Sequence, residues 1–430
     1  MVCALWLLAA PSPGAAKKKT KRRAAPPPVS AALRAASLKK VAQYLEDSAP
    51  GAFAQPGALV PVFEMLYLSS SPESQGPVHI LHFGDSHTAA DEWTGALRGL
   101  LQQRFGDGGS GFSLAGHPFP GYRRIDARGG GTAGWSAAGL RTGTGDGYFG
   151  LGGVSISTGR ARQSVFINAE CDRLEVHFLQ QPGGGRLALY DYDQRVDEFS
   201  TAGELGPGFV RYQTSPGVHR FTLTTLEAKP VRLFGWVADK QAGVTYEALG
   251  INGAEASLML RWDEAMMATY LQRRNPGLIV LAYGTNEASD PNWKPESYRA
   301  MFSALLQRLR SEAPAASILV IGPPDRWSRY RGKWQPVAGV DGVVAAQQSA
   351  SLENGCAFWD TRGRMGGKGA MRDWVYSGLA QADHVHFTAA GYQRLASVLF
   401  EDLIGQYEAY KKIRMESSEE VSHGQENPDR

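Results

Sequence analysis

Two textures alternate along the chain. From 31 to 70 the apolar positions recur at helical spacing, in "LRAASLKKVAQYLED" and then "ALVPVFEMLYL", which predicts a short helical lead-in. "PVHILHF" (77–83) is an unbroken apolar run containing β-branched residues, as expected of a strand buried on both faces. "TAADEWTGALRGLLQQRF" (88–105) returns to a three-to-four-residue period and predicts an amphipathic helix.

Between about 106 and 240 glycine becomes dense and the period drops to two. "GVSIST", "QSVFINA", "RLEVHFLQQ", "GRLALYDYD", "FVRYQTS", "HRFTLTTL" and "VRLFGWVA" are separate strand candidates divided by Gly, Pro and Asp turns. Regularly spaced short strands of this kind predict an all-β sandwich. After 244 the helix–strand rhythm resumes. "EASLMLRWDEAMMATYLQRR" predicts a helix, "GLIVLAYG" (277–284) a buried strand and "ESYRAMFSALLQRLR" a helix. "ASILVIGPP" and "CAFWD" predict strands, and "TAAGYQRLASVLFEDLIGQYEAY" a closing helix. Strands alternating with helices imply a mostly parallel sheet covered on both faces. The expected organisation is an α/β unit in two parts, 31–105 and 244–411, interrupted by a β-rich insertion over 106–243. A disordered tail is expected over 412–430, including "MESSEEVSHGQENPDR".

Composition changes this picture little. The chain has 430 residues, 43% hydrophobic and 20% charged, enough for two domains and a large core. Its net charge is +3, but Lys17, Lys18, Lys19, Lys21, Arg22 and Arg23 form one run; without those six positives the remainder carries −3. Nothing in the globular part therefore argues for a nucleic acid partner. The basic run over 17–30, "KKKTKRRAAPPPVS", reads as a solvated linker or as a contact for an anionic membrane or wall polymer. Before it, "MVCALWLLAAPSPGAA" (1–16) resembles the apolar core and cleavage region of a secretory signal, cut after Ala16, although no positive charge precedes the apolar run. Export to a periplasm or the exterior is the expectation. No other stretch reaches the ~18–20 apolar residues that span a bilayer. Cys3, Cys171 and Cys356 make neither a disulfide framework nor a metal cluster.

Candidate chemistry gathers where parallel strands end. After the first strand comes Gly84-Asp85-Ser86-His87. After "LIVLAY" comes Gly284-Thr285-Asn286-Glu287, and before the closing helix comes "ADHVHFTAAGY" with Asp383 and His386. A serine needs a base to become nucleophilic, and the base needs an acid to hold its tautomer. An Asp three positions before a His meets the second need within one turn. Asn286 and backbone N–H groups can stabilise an oxyanion, and "GINGA" (250–254) offers Gly253 for that role. Singly, each piece has a plainer reading: Asp85 and Ser86 as helix caps, Asn286 as a turn residue, Asp383 and His386 as a cap and a core histidine. Asp383, His384 and His386 also have His-x-His metal spacing, but no second cluster accompanies them. "GDGGSG" and "GTGDGYFG" lack the Lys-Ser/Thr of a phosphate loop and read as turns. Tyr148, Phe149, Tyr190 and Tyr192 are either core or sugar-stacking aromatics.

The order "GDSH" (84–87), "NGA" around Gly253, "GTNE" (284–287) and "DHVH" (383–386) resembles the GDSL-type serine hydrolases of the SGNH superfamily. That resemblance implies a flavodoxin-like α/β sheet with helices on both faces. It implies Ser86 as nucleophile with Asp383 and His386, and an oxyanion hole of Ser86, Gly253 and Asn286, with no cofactor or metal. The β-rich segment between the first two blocks is similar in layout to bacterial peptidoglycan O-acetylesterases, which carry a jelly-roll, carbohydrate-binding-module-like insertion there. The likeness implies a serine esterase acting on an O-acetylated cell-wall glycan. An O-acetyltransferase, an acetylesterase for another polysaccharide, a lipase and a non-catalytic wall-glycan-binding protein stay open.

Overall fold

A computed structural model describes residues 29–49, 51–69, 76–139, 145–290 and 292–425. The secretory-signal reading of 1–16, with Cys3, and nearly all of the basic segment 17–30 lie outside the described residues. The chain begins with α1 (Ala31–Asp47), β1 (Phe53–Ala54) and α2 (Val60–Leu68), then β2 (Val78–Gly84), α3 (Ser86–Ala89) and α4 (Glu92–Phe105). Nine strands come next: β3 (Gly109–Leu114), β4 (Arg128–Gly131), β5 (Ser136–Ala138), β6 (Ser155–Thr158), β7 (Ser164–Gln180), β8 (Arg186–Asp191), β9 (Gln194–Ser200), β10 (Gly206–Thr225) and β11 (Val231–Asp239). Then come β12 (Val244–Gly250), α5 (Glu264–Arg274), β13 (Leu278–Ala282), α6 (Pro295–Glu312) and β14 (Ser317–Ile321). The chain closes with the hairpin β15 (Trp327–Tyr330) and β16 (Lys333–Pro336), α7 (Gly339–Glu353), β17 (Ala357–Trp359), α8 (Thr361–Arg364), α9 (Met371–Ser377) and α10 (Ala389–Gln425).

One sheet runs β1-β17-β14-β13-β2-β12, parallel throughout except for β1. Numbering its parallel strands in chain order gives 2-1-3-4-5, the flavodoxin-like doubly wound order. Alternate residues of each strand enter two different cores. Leu81, Phe83, Ile279 and Leu281 face the side covered by α5, α6 and α7. Ile80, Val280 and Tyr246 face the side covered by α1, α2, α4 and α10. Burial on both faces is why these strands read as continuous apolar runs rather than alternating ones.

The second sheet is antiparallel, ordered β5-β6-β11-β7-β10-β8-β9, with β3 on β11 and β4 on β7. Its own core includes Leu174, Val176, Leu187, Phe221 and Trp236. The chain leaves the parallel sheet after α4 and rejoins it at Val244, which pairs with Val78. The two sheets share a buried charge cluster. Arg274 on α5 donates to Asp239 of β11 (2.6 Å) and to Glu247 of β12 (2.5 Å), all three buried. A second tie joins α4 to the segment after β3. Asp91, at φ 55°, accepts from Arg98 (2.6 Å) and from the Ile125 N–H (2.8 Å).

Several expected elements take a different form. "QSVFINA" and "RLEVHFLQQ" are one strand, β7, and "FVRYQTS" and "HRFTLTTL" are one strand, β10. The Ser-Pro-Gly read as a turn is absorbed as an irregularity between Gln213 and Gly217, the kind of place where sheets tolerate Pro and Gly. "GDGGSG" is not a turn throughout: Gly109 and Gly111 open β3, where a Cβ would meet Ala238 O at 2.6 Å and Glu247 Oε1 at 2.5 Å. The helix expected over 255–274 breaks at Trp262, because the Asp263 side chain caps the Met266 N–H (2.8 Å) and starts α5 afresh. The helix expected over 88–105 likewise divides at Asp91. At the other end α10 continues to Gln425, past the tail boundary expected at 412. Its extension is supported by Lys411–Glu408 (3.1 Å) and by Arg414, which reaches Glu64 of α2 (2.9 Å).

Cys171 and Cys356 are both buried free thiols in different cores. Phe149 is buried core, Tyr148 and Tyr190 are half-buried, and Tyr192 is exposed. No helix among the described residues is long and apolar enough to cross a membrane.

Candidate active site

Strand register places three loops side by side. Gly84 at the end of β2 lies opposite Gly250 of β12 on one side and Ala282 of β13 on the other. The loops carrying Ser86, Gly253 and Asn286 therefore leave the sheet at one level, where the strand order reverses. Both glycines are close-approach positions. A Cβ on Gly84 would sit 2.2 Å from Thr88 Oγ1, and one on Gly250 2.3 Å from the Ala89 nitrogen. Only bare backbone lets α3 lie down on β2 and β12.

Asp85 and Ser86 have separate jobs. The Asp85 side chain caps α3, accepting from the His87 N–H (2.9 Å), and its carbonyl accepts from Thr88 and Ala89 (3.2 and 3.0 Å). Ser86 is left free of capping: its Oγ lies 2.9 Å from His386 Nε2. His386 Nδ1 lies 2.8 Å from Asp383 Oδ2. The other oxygen of Asp383 accepts the N–H groups of Val385 (2.9 Å) and His386 (3.0 Å), folding the loop before α10 into a tight cradle. With Nδ1–H donating to Asp383, the lone pair of Nε2 faces the serine hydroxyl.

The electrostatics agree with that tautomer. Burial raises Asp383, but hydrogen bonds from His386 and the two N–H groups outweigh it and hold the carboxyl at about 2. The hydrogen bond to Asp383 lifts His386 above its usual 6.5, against burial. His386 keeps 34% of its side chain exposed, so the line of three groups opens at the surface. Beneath it, burial holds His87 down at about 3, and its Nδ1 pairs with the Tyr392 hydroxyl (2.8 Å).

Gly253 sits at φ 74° in a turn begun by the Ile251 N–H donating to Gly84 O (3.0 Å). Asn286 reaches the same turn, its Nδ2 donating to Ala254 O (2.9 Å) and lying 3.4 Å from Asp85 Oδ2. The sequence-predicted residues thus come together as Ser86, His386 and Asp383 in one hydrogen-bonded line, with Gly253 and Asn286 in one adjoining turn. His384 does not join them. It turns away at φ 58°, with its ring against Trp327 (5.9 Å) and Trp334 (4.2 Å).

Two residues of the site carry roles that the sequence did not disclose. Glu287 is buried; its carboxylate accepts the Gly284 N–H (3.0 Å) and the Ala256 N–H (2.9 Å), tying the β13 loop to the β12 loop. Burial pushes it up to about 7 and pushes Asp85 up to about 6. Arg326 donates to Thr285 O, and its charge acts on Asp85 and Asp383. The only sequence signal for Arg326 is its place in the cation-rich run "RWSRYRGK".

Residues 223–394 match the model of the GDSL-like Lipase/Acylhydrolase family. That segment holds Gly253, Asn286, Asp383 and His386, while Ser86 lies upstream, beyond the antiparallel strands. A solved structure of a peptidoglycan O-acetylesterase is 26% identical, covers 84% of this chain and 100% of its own, and superposes with a TM-score of 0.73. A family two carbohydrate esterase from Clostridium thermocellum, solved with cellohexaose, is 13% identical over 59% of this chain and 95% of its own, with a TM-score of 0.30. An acetyl xylan esterase is 15% identical over 37% and 80%, with a TM-score of 0.28. No curated protein sequence matches.

Proposed function

We propose that this chain, a carboxylic ester hydrolase of the GDSL type, removes O-acetyl groups from peptidoglycan by way of a Ser86 acetyl-enzyme. The observation that carries the reading is the line Ser86–His386–Asp383, with 2.9 and 2.8 Å links, at the carboxyl end of the parallel sheet. The substrate is argued from the peptidoglycan O-acetylesterase that shares the fold over most of both chains.

His386 Nε2 takes the Ser86 proton as Oγ attacks the acetyl carbonyl, and Asp383 stabilises the resulting imidazolium. The oxyanion is met by the Ser86 and Gly253 N–H groups and by the Asn286 amide hydrogen that now makes only the long contact to Asp85. As the intermediate collapses, the bond to the sugar oxygen breaks and His386 returns its proton to that oxygen. Water then repeats the sequence on the acetyl-enzyme and releases acetate. Ser86, His386 and the hydrolytic water pass every proton between them: the Ser86 proton leaves on the sugar oxygen, and one from water restores the serine. The substrate lies outside the cytoplasm, and the reading carries with it export directed by residues 1–16.

The test is acetate release from purified O-acetylated peptidoglycan, acetylated xylan and p-nitrophenyl acetate by wild type and Ser86→Ala. Serine-dependent release favouring peptidoglycan is expected. Release from xylan or the small ester alone refutes the substrate but keeps the nucleophile. Loss of serine dependence everywhere refutes the mechanism. Acetyl transfer to an added glycan acceptor in place of free acetate identifies a transferase using the same acetyl-enzyme.

A further inference from the structure

We propose that the β15–β16 hairpin, Trp327–Pro336, is a binding finger that selects glycans whose repeating unit carries a carboxylate. The proposal rests on the esterase reading of Ser86 and adds to it a specificity element that the four sequence blocks do not contain.

The hairpin forms a two-stranded sheet of its own. Arg331 and Gly332 both have positive φ (48° and 82°), as a two-residue turn between right-twisted strands requires. Its base is fixed from below. Buried Asp325 accepts from the Trp327 indole (3.2 Å) and from the Gly369 and Met371 N–H groups (3.1 and 3.0 Å). Register puts Trp327, Arg329, Trp334 and Pro336 on one face. That face packs on His384, and the Trp327 N–H donates to His384 O (3.0 Å). His384 lies two residues from His386. The finger is therefore anchored to the loop that carries the proposed base.

Its charge is of one sign. Arg329, Arg331 and Lys333 are exposed, and none has a carboxylate within ion-pair distance among the described residues. Arg329 instead lies over the Trp334 ring (5.3 Å), Arg331 over Tyr330 (5.3 Å), and Arg372 over Trp327 (5.8 Å). Tyr330 is 56% exposed. Some exposed arginines elsewhere, such as Arg186 and Arg299, are paired with acids; the hairpin gathers three exposed cations without such pairs within five residues. A cluster of unpaired cations interleaved with aromatic rings suits a polymer that offers sugar faces for stacking and carboxylates for the guanidinium groups. A neutral glycan would use only the rings.

The test compares kcat/KM on an acidic acetylated polymer with that on a neutral one: O-acetylated peptidoglycan and acetylated pectin against acetylated glucomannan. The proteins are full-length wild type, Arg329→Gln/Arg331→Gln/Lys333→Gln, and the charge-keeping Arg329→Lys/Arg331→Lys. p-Nitrophenyl acetate turnover reports the folded active site in each. Wild type is expected to favour the acidic polymers, with KM rising as salt is added. In the triple variant the acidic-to-neutral ratio falls about tenfold, equivalent to about 1.4 kcal/mol, through KM and not kcat, and the salt dependence flattens. The lysine variant keeps most of the preference. An unchanged ratio, an equal loss on both polymers, or a wild type with no acidic preference overturns the proposal. The two readings fail separately. Selectivity for pectin with no release from peptidoglycan refutes the peptidoglycan substrate and leaves the finger standing.

Discussion

Asp383→Asn isolates the part of the site that sets the state of His386. The Asp383 oxygen that accepts from the Val385 and His386 N–H groups survives as the amide oxygen, so the cradle before α10 keeps its two hydrogen bonds. The other oxygen, 2.8 Å from His386 Nδ1, becomes an NH2 group. It can only donate, so Nδ1 becomes the acceptor and the ring proton moves to Nε2, facing Ser86. A histidine in that tautomer has no lone pair to take the serine proton. In serine hydrolase triads this loss is worth roughly 10⁴ in kcat, or about 5.4 kcal/mol at 1.36 kcal/mol per decade. The pH profile moves as well. In wild type the hydrogen bond to Asp383 lifts His386 above 6.5, so the acid limb of kcat/KM has its midpoint above 6.5. Without that carboxylate, burial is the largest remaining influence on His386 and, with the Arg326 charge, outweighs the upward pull of the Asp85 charge, so the limb moves down. Steady-state hydrolysis of p-nitrophenyl acetate from pH 5 to 9 reads both effects, and circular dichroism checks for an unchanged fold. A variant within tenfold of wild type with an unmoved acid limb would refute the assignment of Asp383 and His386.

Three further outcomes rest on the geometry. Asn286→Ala removes one oxyanion donor and should lower kcat by roughly a hundred- to a thousand-fold at little cost in melting temperature; near-normal turnover would remove Asn286 from the oxyanion hole. Glu287 has its folded pKa raised from 4.5 to about 7, so the stability it contributes is fully present below 4.5 and lost as pH rises through 7, to the extent of about 3 kcal/mol. Glu287→Gln should flatten that part of the stability-versus-pH curve in urea titrations, and an unaltered slope would show that Glu287 is ionised throughout. Arg274→Leu strips the shared cation from buried Asp239 and Glu247 and should cost about 3–5 kcal/mol of unfolding free energy; a loss under about 1 kcal/mol would mean that the two sheets are not held together by this cluster.

What could be read from the sequence was local. The parallel strands announce themselves because both faces are buried, and Gly84-Asp85-Ser86 and Asp383-x-x-His386 are short-range devices whose spacing is itself the chemistry. What stayed hidden depends on distant chain. Gly109 and Gly111 look like turn residues until Ala238 and Glu247 are placed against them. The Pro216-Gly217 pair looks like a strand end until β7 runs past it. Glu287 looks like one more polar loop residue, because its two N–H partners, at Gly284 and Ala256, belong to different strand ends.

The same distinction explains how a long run of β-structure can sit between Ser86 and the rest of the site. The loops of the proposed site are aligned by the register of β2 with β12 and β13, with Gly84 beside Gly250 and Ala282, and not by the chain that links β2 to β12. That link leaves after α4 and returns at Val244. The Asp91 and Arg274 clusters brace its two ends against the parallel sheet. Any excursion whose ends are held this way leaves the site intact, since the cost of closing a loop grows only slowly with its length. The excursion is therefore free to acquire a binding role of its own, while the hairpin anchored at His384, far along the sequence from the insertion, is tied to the chemistry through the loop that holds His386.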